Sequence, residues 1–119
     1  MFTISKEFHF SASHVLKGLP DGHPCGRLHG HNYVLILTLT SPELNNQGFV
    51  QDYGELKRVK EWVDTFFDHQ HLNEKIAANP TAENIAAKVF KKFEKEYPLL
   101  TKVTVKETPK TMASYERKS

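Results

Sequence analysis

The stretch HNYVLILTLT, residues 31–40, is apolar on both parities: Tyr33, Leu35, Leu37 and Leu39 on one side, Val34 and Ile36 on the other. It is rich in β-formers and predicts a strand. A strand apolar on both sides predicts a sheet covered on both faces. Residues 1–10 alternate more simply, with Phe2, Ile4, Phe8 and Phe10 against Thr3, Ser5, Glu7 and His9. That period of two predicts another strand. Residues 16–28 (LKGLPDGHPCGRL) carry three glycines and two prolines and predict a loop between the two.

The middle of the chain changes period. Residues 41–48 (SPELNNQG) predict a turn, and Phe49-Val50 is a candidate for a short strand. Asp52 can cap a helix, with Glu55 in capping-box position, and Leu56, Val59, Val63 and Phe66 follow helical spacing. A second helix starts at Asn79-Pro80-Thr81, with Pro80 in the first turn. Its buried stripe is Ile85, Val89, Phe93 and Tyr97, and Pro98 stops it. Residues 101–107 alternate again, and a last strand is expected at about 113–117. The order β-β-α-α-β-β predicts an α+β fold: a four-stranded antiparallel sheet with two helices on one face. With 119 residues the chain is expected to be one domain, 1–119.

Composition narrows function by exclusion. A net charge of +2 implies no polyanion partner. No phosphate loop, GxGxxG or basic–aromatic stripe is present, so nucleic acid is not an expected partner. No stretch reaches the roughly 18–20 apolar residues of a membrane span, and the start lacks a signal peptide's pattern. One cysteine excludes an internal disulfide, and a free thiol fits the cytoplasm.

Seven histidines remain, all at or before position 71, and five fall between His9 and His31 around Cys25. His29-Gly30-His31 stands at the entrance of a strand, where alternation puts both imidazoles on one face. If the two strands pair, His14 joins them at the same sheet end. Three histidines with an open fourth position suit a catalytic zinc site. A bare His-x-His is also an ordinary pair. Imidazole suits copper, iron and nickel as well.

Cys25 stays open between three readings: a fourth zinc ligand, a nucleophile or base beside a cation, and an inert thiol. Asp68-His69 reads either as an oriented imidazole or as a histidine at a helix C-terminus. Glu107 continues the Val103/Val105 face, so its carboxylate is either directed at the apolar side or facing solvent at a strand end. On the apolar side it needs a partner, and it can accept two parallel hydrogen bonds from a guanidine-like ring edge.

Several motifs in order resemble the 6-pyruvoyl-tetrahydropterin synthase family: FSASH, CGRLHGHNY, FVQDYGELK, FDHQHLN, NPTAENIA and VKET. The resemblance is closest to the 6-carboxy-5,6,7,8-tetrahydropterin synthase branch, which serves queuosine and other 7-deazapurine synthesis. The short Cys-x-x-x-His-Gly-His spacing is similar to that branch. The resemblance implies a T-fold and Zn2+ on His14, His29 and His31. It implies Cys25 as catalytic thiol, His69 with Asp68 as proton relay, and Glu107 as the pterin anchor that also joins the relay. The implied substrate is 7,8-dihydroneopterin triphosphate. The implied assembly is a homo-oligomer of trimers stacked into hexamers, with active sites between subunits. The resemblance assigns no role to His9, His23 or His71. Arg27, Lys6 and Lys106 are candidates for the triphosphate by closeness to the motifs. The alternatives are 6-pyruvoyl-tetrahydropterin synthase chemistry and a non-enzymatic zinc module with Cys25 as fourth ligand.

Overall fold

A computed structural model describes residues 1–118. The strands are β1 (Phe2–His14), β2 (His29–Ser41), β3 (Gln70–His71), β4 (Leu100–Thr108) and β5 (Thr111–Glu116). The helices are α1 (Lys57–Phe66) and α2 (Ala82–Phe93). Spatially the sheet runs β3-β1-β2-β4-β5. β1 and β2 pair antiparallel along their whole length, from Phe2↔Ser41 to His14↔His29.

The sheet has five strands where four were expected. β3 is a two-residue strand lying parallel to the end of β1, Ala12↔Gln70 and Ser13↔His71. Two residues are too few for any period to show in sequence. Phe49-Val50 is not a strand. Instead the Phe49 backbone closes on Asn45, accepting from its N–H at 2.8 Å and donating to its side chain at 2.9 Å.

Asp52 does cap, but it caps a 3-10 turn over Tyr53–Leu56 that precedes α1. The capping box is not completed, because the Glu55 carboxylate accepts from Gln51 Nε2 at 2.9 Å instead. At α2 the cap is Thr81, whose hydroxyl accepts from Asn84 N–H at 3.2 Å. Pro80 therefore lies just outside the helix and not in its first turn. The helix ends at Phe93, five residues before Pro98, with Tyr97 buried in the turn beyond.

Alternation sorts the sheet into two unlike faces. Phe8, Phe10, Tyr33, Leu35, Leu37, Leu39, Val103 and Val105 form one cluster with Val59, Val63, Ile85, Val89 and Phe93 of the helices. On the opposite face Val34 and Ile36 are only half-buried. Within this chain the expected double cover is real on the helix side alone. Among the described residues, no helix is long and apolar enough to cross a membrane.

Candidate metal centre and active site

The helix-covered face ends in polar residues. His14 closes β1, His29 and His31 open β2, and register sets His14 opposite His29. His14 is fully buried, and His29 and His31 are half-buried. One nitrogen from each ring lies within 4.8 Å of the other two. The three rings pack edge to face, with centroids 4.5, 5.1 and 4.9 Å apart.

Backbone carbonyls fix two of the tautomers. His14 Nδ1 lies 2.8 Å from the Pro80 carbonyl, and His29 Nδ1 lies 2.7 Å from the Arg27 carbonyl. A carbonyl only accepts, so each Nδ1 carries the proton and donates it. Each Nε2 then presents a lone pair, and these two atoms face each other at 2.9 Å. Two lone pairs at that distance repel unless a proton or cation lies between them. His31 Nε2 is buried with no hydrogen-bond partner. Burial, its largest influence, holds the His31 imidazole below its usual pKa, which favours the neutral form a metal needs. The three nitrogens can therefore hold a metal ion of the kind that takes imidazole ligands.

Gly30 matters here for space rather than for backbone freedom. A Cβ at Gly30 would sit 3.1 Å from the Ala12 carbonyl oxygen on the paired strand. Gly30→Ala is expected to push β1 and β2 apart between the ligands and weaken metal affinity by about tenfold, the low end of outer-shell effects. Competition with a chromogenic chelator measures this.

Glu107 is carried to the same end by β4, so of its two expected orientations the structure has the one on the apolar side. Its Oε2 lies 3.6 Å from His31 Nε2, with the side chains 24% and 18% exposed. It stands beside the three nitrogens without belonging to their group. Tyr33, two residues past His31 on the same parity, was not singled out in the sequence. It is fully buried, and its hydroxyl lies 3.3 Å from His14 Nδ1. Pro80 was missed too, because its contribution is a carbonyl and leaves no trace in residue type.

Cys25 sits half-buried in a 3-10 turn, Pro24–Gly26, capped by the His23 side chain, which accepts from Cys25 N–H at 3.1 Å. His23 thus acquires a local role. Cys25 is not among the converging metal-ligand atoms. The Arg27 carbonyl meets His29 Nδ1, and the residue is exposed. Lys6 stands eight residues up β1 from His14, roughly 26 Å at strand rise.

Asp68 and His69 do touch. His69 Nδ1–H donates to Asp68 Oδ2 at 2.9 Å, and Asp68 Oδ1 accepts from Ser11 N–H at 2.8 Å. The Ser11 bond, then the His69 bond, hold the Asp68 carboxyl below its usual range. His69 has φ of 58°, left-handed for a non-glycine residue. Its own N–H donates to the Ser11 carbonyl at 2.6 Å, so both Ser11 backbone groups fasten the turn. His69 is 82% exposed and borders an open depression of about 500 Å3 with Ser11, Ser13, Asn32 and His71. Ser11 and Ser13 alternate with Ala12 and His14, so their side chains point to the sheet face opposite His14, while His31 and Gly30 also border the depression. No hydrogen bond joins Cys25 to Asp68 or His69 among the described residues.

Comparison with known proteins shows the family. Residues 3–118 match the family described as 6-pyruvoyl tetrahydropterin synthase. A Synechocystis protein named 6-carboxy-5,6,7,8-tetrahydropterin synthase is 37% identical over 97% of this chain and 93% of its own. One of the same name from Rickettsia bellii is 33% identical over 92% and 96%. The solved 6-pyruvoyl tetrahydropterin synthase of Caenorhabditis elegans superposes with a TM-score of 0.85 at 30% identity, covering 98% of this chain and 96% of that one. The chain belongs to the 6-pyruvoyl tetrahydropterin synthase family.

Proposed function

We propose that the chain is a zinc-dependent 6-carboxy-5,6,7,8-tetrahydropterin synthase. It would convert 7,8-dihydroneopterin triphosphate and one water to 6-carboxytetrahydropterin, acetaldehyde and triphosphate, as a cytoplasmic enzyme of queuosine and 7-deazapurine synthesis. The observation that carries the reading is the three-imidazole cup with an orphaned His31 Nε2 beside the Glu107 carboxylate. The names of the Synechocystis and Rickettsia relatives and the short cysteine spacing favour the carboxy branch.

His14, His29 and His31 would hold the zinc ion, which when bound would supply Lewis acidity toward the substrate's side-chain oxygens. Glu107 accepts two hydrogen bonds from the pterin's guanidine-like edge and so aims the side chain at the cup. The Cys25 sulfur takes a carbon-bound proton. His69, held by Asp68 with its Nε2 free, passes protons onward. Arg27, next in the chain to the cysteine turn, would meet the triphosphate.

In a lone chain no hydrogen bond among the described residues joins the Asp68–His69 pair to Cys25, so the relay is completed by a neighbouring copy. Sheet edges favour such an assembly. β1 has a partner on its outer side only at Ala12 and Ser13, and β5 forms the other edge. Pairing β5 of one copy with β1 of the next is head-to-tail, and where its rotation closes it makes a ring, the form of a trimer-based homo-oligomer. The radius of gyration, 15.4 Å, exceeds the roughly 13.5 Å of a compact domain this long. An extended sheet of this kind suits sharing between subunits.

The test is incubation of purified, metal-assayed protein with 7,8-dihydroneopterin triphosphate, with products read by mass spectrometry. The reading requires 6-carboxytetrahydropterin and acetaldehyde. The second reading, 6-pyruvoyl-tetrahydropterin synthase, is favoured by the name of the C. elegans structure. 6-Pyruvoyltetrahydropterin alone, without acetaldehyde, would establish it instead. Glu107→Gln is expected to raise KM about 10–100-fold, the loss of about 1.5–3 kcal/mol from a hydrogen bond to a charged group. Steady-state kinetics checks this, and an unchanged KM removes the anchoring role.

A further inference from the structure

Beyond His14, strand β1 has no ladder partner, yet its backbone stays paired. Val15 N–H donates to Asn73 Oδ1 at 2.8 Å, and Asn73 Nδ2 donates to the Val15 carbonyl at 2.8 Å. Two residues on, Lys17 N–H donates to Asn79 Oδ1 at 2.9 Å, and Asn79 Nδ2 donates to the Lys17 carbonyl at 3.1 Å. Each side-chain amide thus imitates a strand residue, meeting one donor and one acceptor. Between them, Leu16 N–H points the other way and donates to the Cys25 carbonyl at 3.0 Å. The alternation is that of a strand with asparagine side chains on one edge and the cysteine turn on the other.

Both asparagines are themselves held firmly. Asn73 follows Leu72, which is fully buried, in a 3-10 turn. The Asn79 carbonyl accepts from Thr81 N–H and Asn84 Nδ2, both at 2.8 Å, at the start of α2. Its neighbour Pro80 holds His14 Nδ1. One dipeptide, Asn79-Pro80, therefore grips the approach to Cys25 with a side chain and a ligand histidine with a carbonyl.

We propose that Asn73 and Asn79 are positioning residues, a double amide clamp that sets where Cys25 stands relative to the histidine cup. The proposal rests on the reading of Cys25 as the proton-abstracting group. The clamp carries the rigidity of α2 through Leu16 to the Cys25 backbone. A misplaced reacting group loses rate before it loses binding, and about 1 Å is worth up to about a hundredfold. The pterin is held elsewhere, by Glu107, so KM is insulated from the clamp.

The experiment uses full-length, zinc-loaded Asn73→Ala and Asn79→Ala. Turnover per bound zinc is expected to fall at least about tenfold, with KM within about threefold of wild type. A merely structural role would lower thermal stability or zinc content and leave turnover per bound zinc unchanged. Amide hydrogen exchange supplies a readout independent of activity. Protection at Leu16 is expected to drop at least tenfold, while protection at Leu37 in the sheet stays the same. Should Asn79→Ala not fold, the isosteric Asn79→Asp replaces it: it keeps the Lys17 N–H bond and loses the donor to the Lys17 carbonyl. Unchanged Leu16 protection, or unchanged turnover per zinc in folded variants, overturns the proposal. If Cys25→Ala keeps wild-type turnover, the functional reading fails, and the exchange result still decides whether the clamp exists.

Discussion

Cys25→Ala is expected to fold, to keep its metal and to lose turnover by about 10²–10⁴-fold, the range for a general acid–base group. The structure separates the thiol from the parts that hold the protein together. The turn around Cys25 is fastened by its N–H, which donates to the His23 side chain, and its carbonyl, which accepts from Leu16 N–H, and neither bond involves the sulfur. The sulfur is outside the group of converging nitrogens, so its loss leaves the cup intact. Metal content and turnover measured on one sample check this directly. Loss of metal with unfolding would make Cys25 the fourth ligand of a closed structural site, and the enzyme reading would fall with it.

His14→Ala is expected to have the larger effect on the protein itself. Stoichiometric metal binding should disappear, a loss beyond the roughly 10–100-fold typical of outer-shell changes. The metal-free protein should also lose about 1–3 kcal/mol, because the buried Pro80 carbonyl is left without its donor. His29→Ala is the informative contrast. Its ring is half-buried, and its carbonyl partner, Arg27, belongs to an exposed residue. It should lose metal with little change in metal-free stability. Denaturant melts in excess chelator, with metal titrations in parallel, separate the two contributions.

Much of the site was legible because strand chemistry obeys parity. The spacing of His29 and His31 put two rings on one face, pairing of the first two strands brought His14 to them, and parity made the apolar side one of two orientations open to Glu107. Contacts set by local backbone were not legible. The Asp68–His69 pair depends on a left-handed turn fastened to Ser11, fifty-seven residues away in sequence. That turn also sets His69 at the depression beside Ser11 and Ser13, which residue order alone does not encode. β3 is too short for a period. Pro80 suits a first helical turn by composition, but Thr81 outcompetes it as the cap, and that shift frees the Pro80 carbonyl for His14. Double cover of 31–40 was over-read from one chain, since a half-buried second face is also what a shared sheet requires.

The carbonyls of Pro80 and Arg27 grip two imidazoles from behind, whatever ion their other nitrogens meet. A cup braced through the main chain has little freedom to tailor itself to one ion's radius. Imidazole sites generally rank copper(II) above zinc and nickel in affinity, and preference in cells follows metal availability as much as ligand strength. If the cup takes a metal, its occupant would then depend on metal availability around the protein as well as on ligand strength. The same chain produced in copper-rich and zinc-rich cells would be two different metalloproteins with one fold.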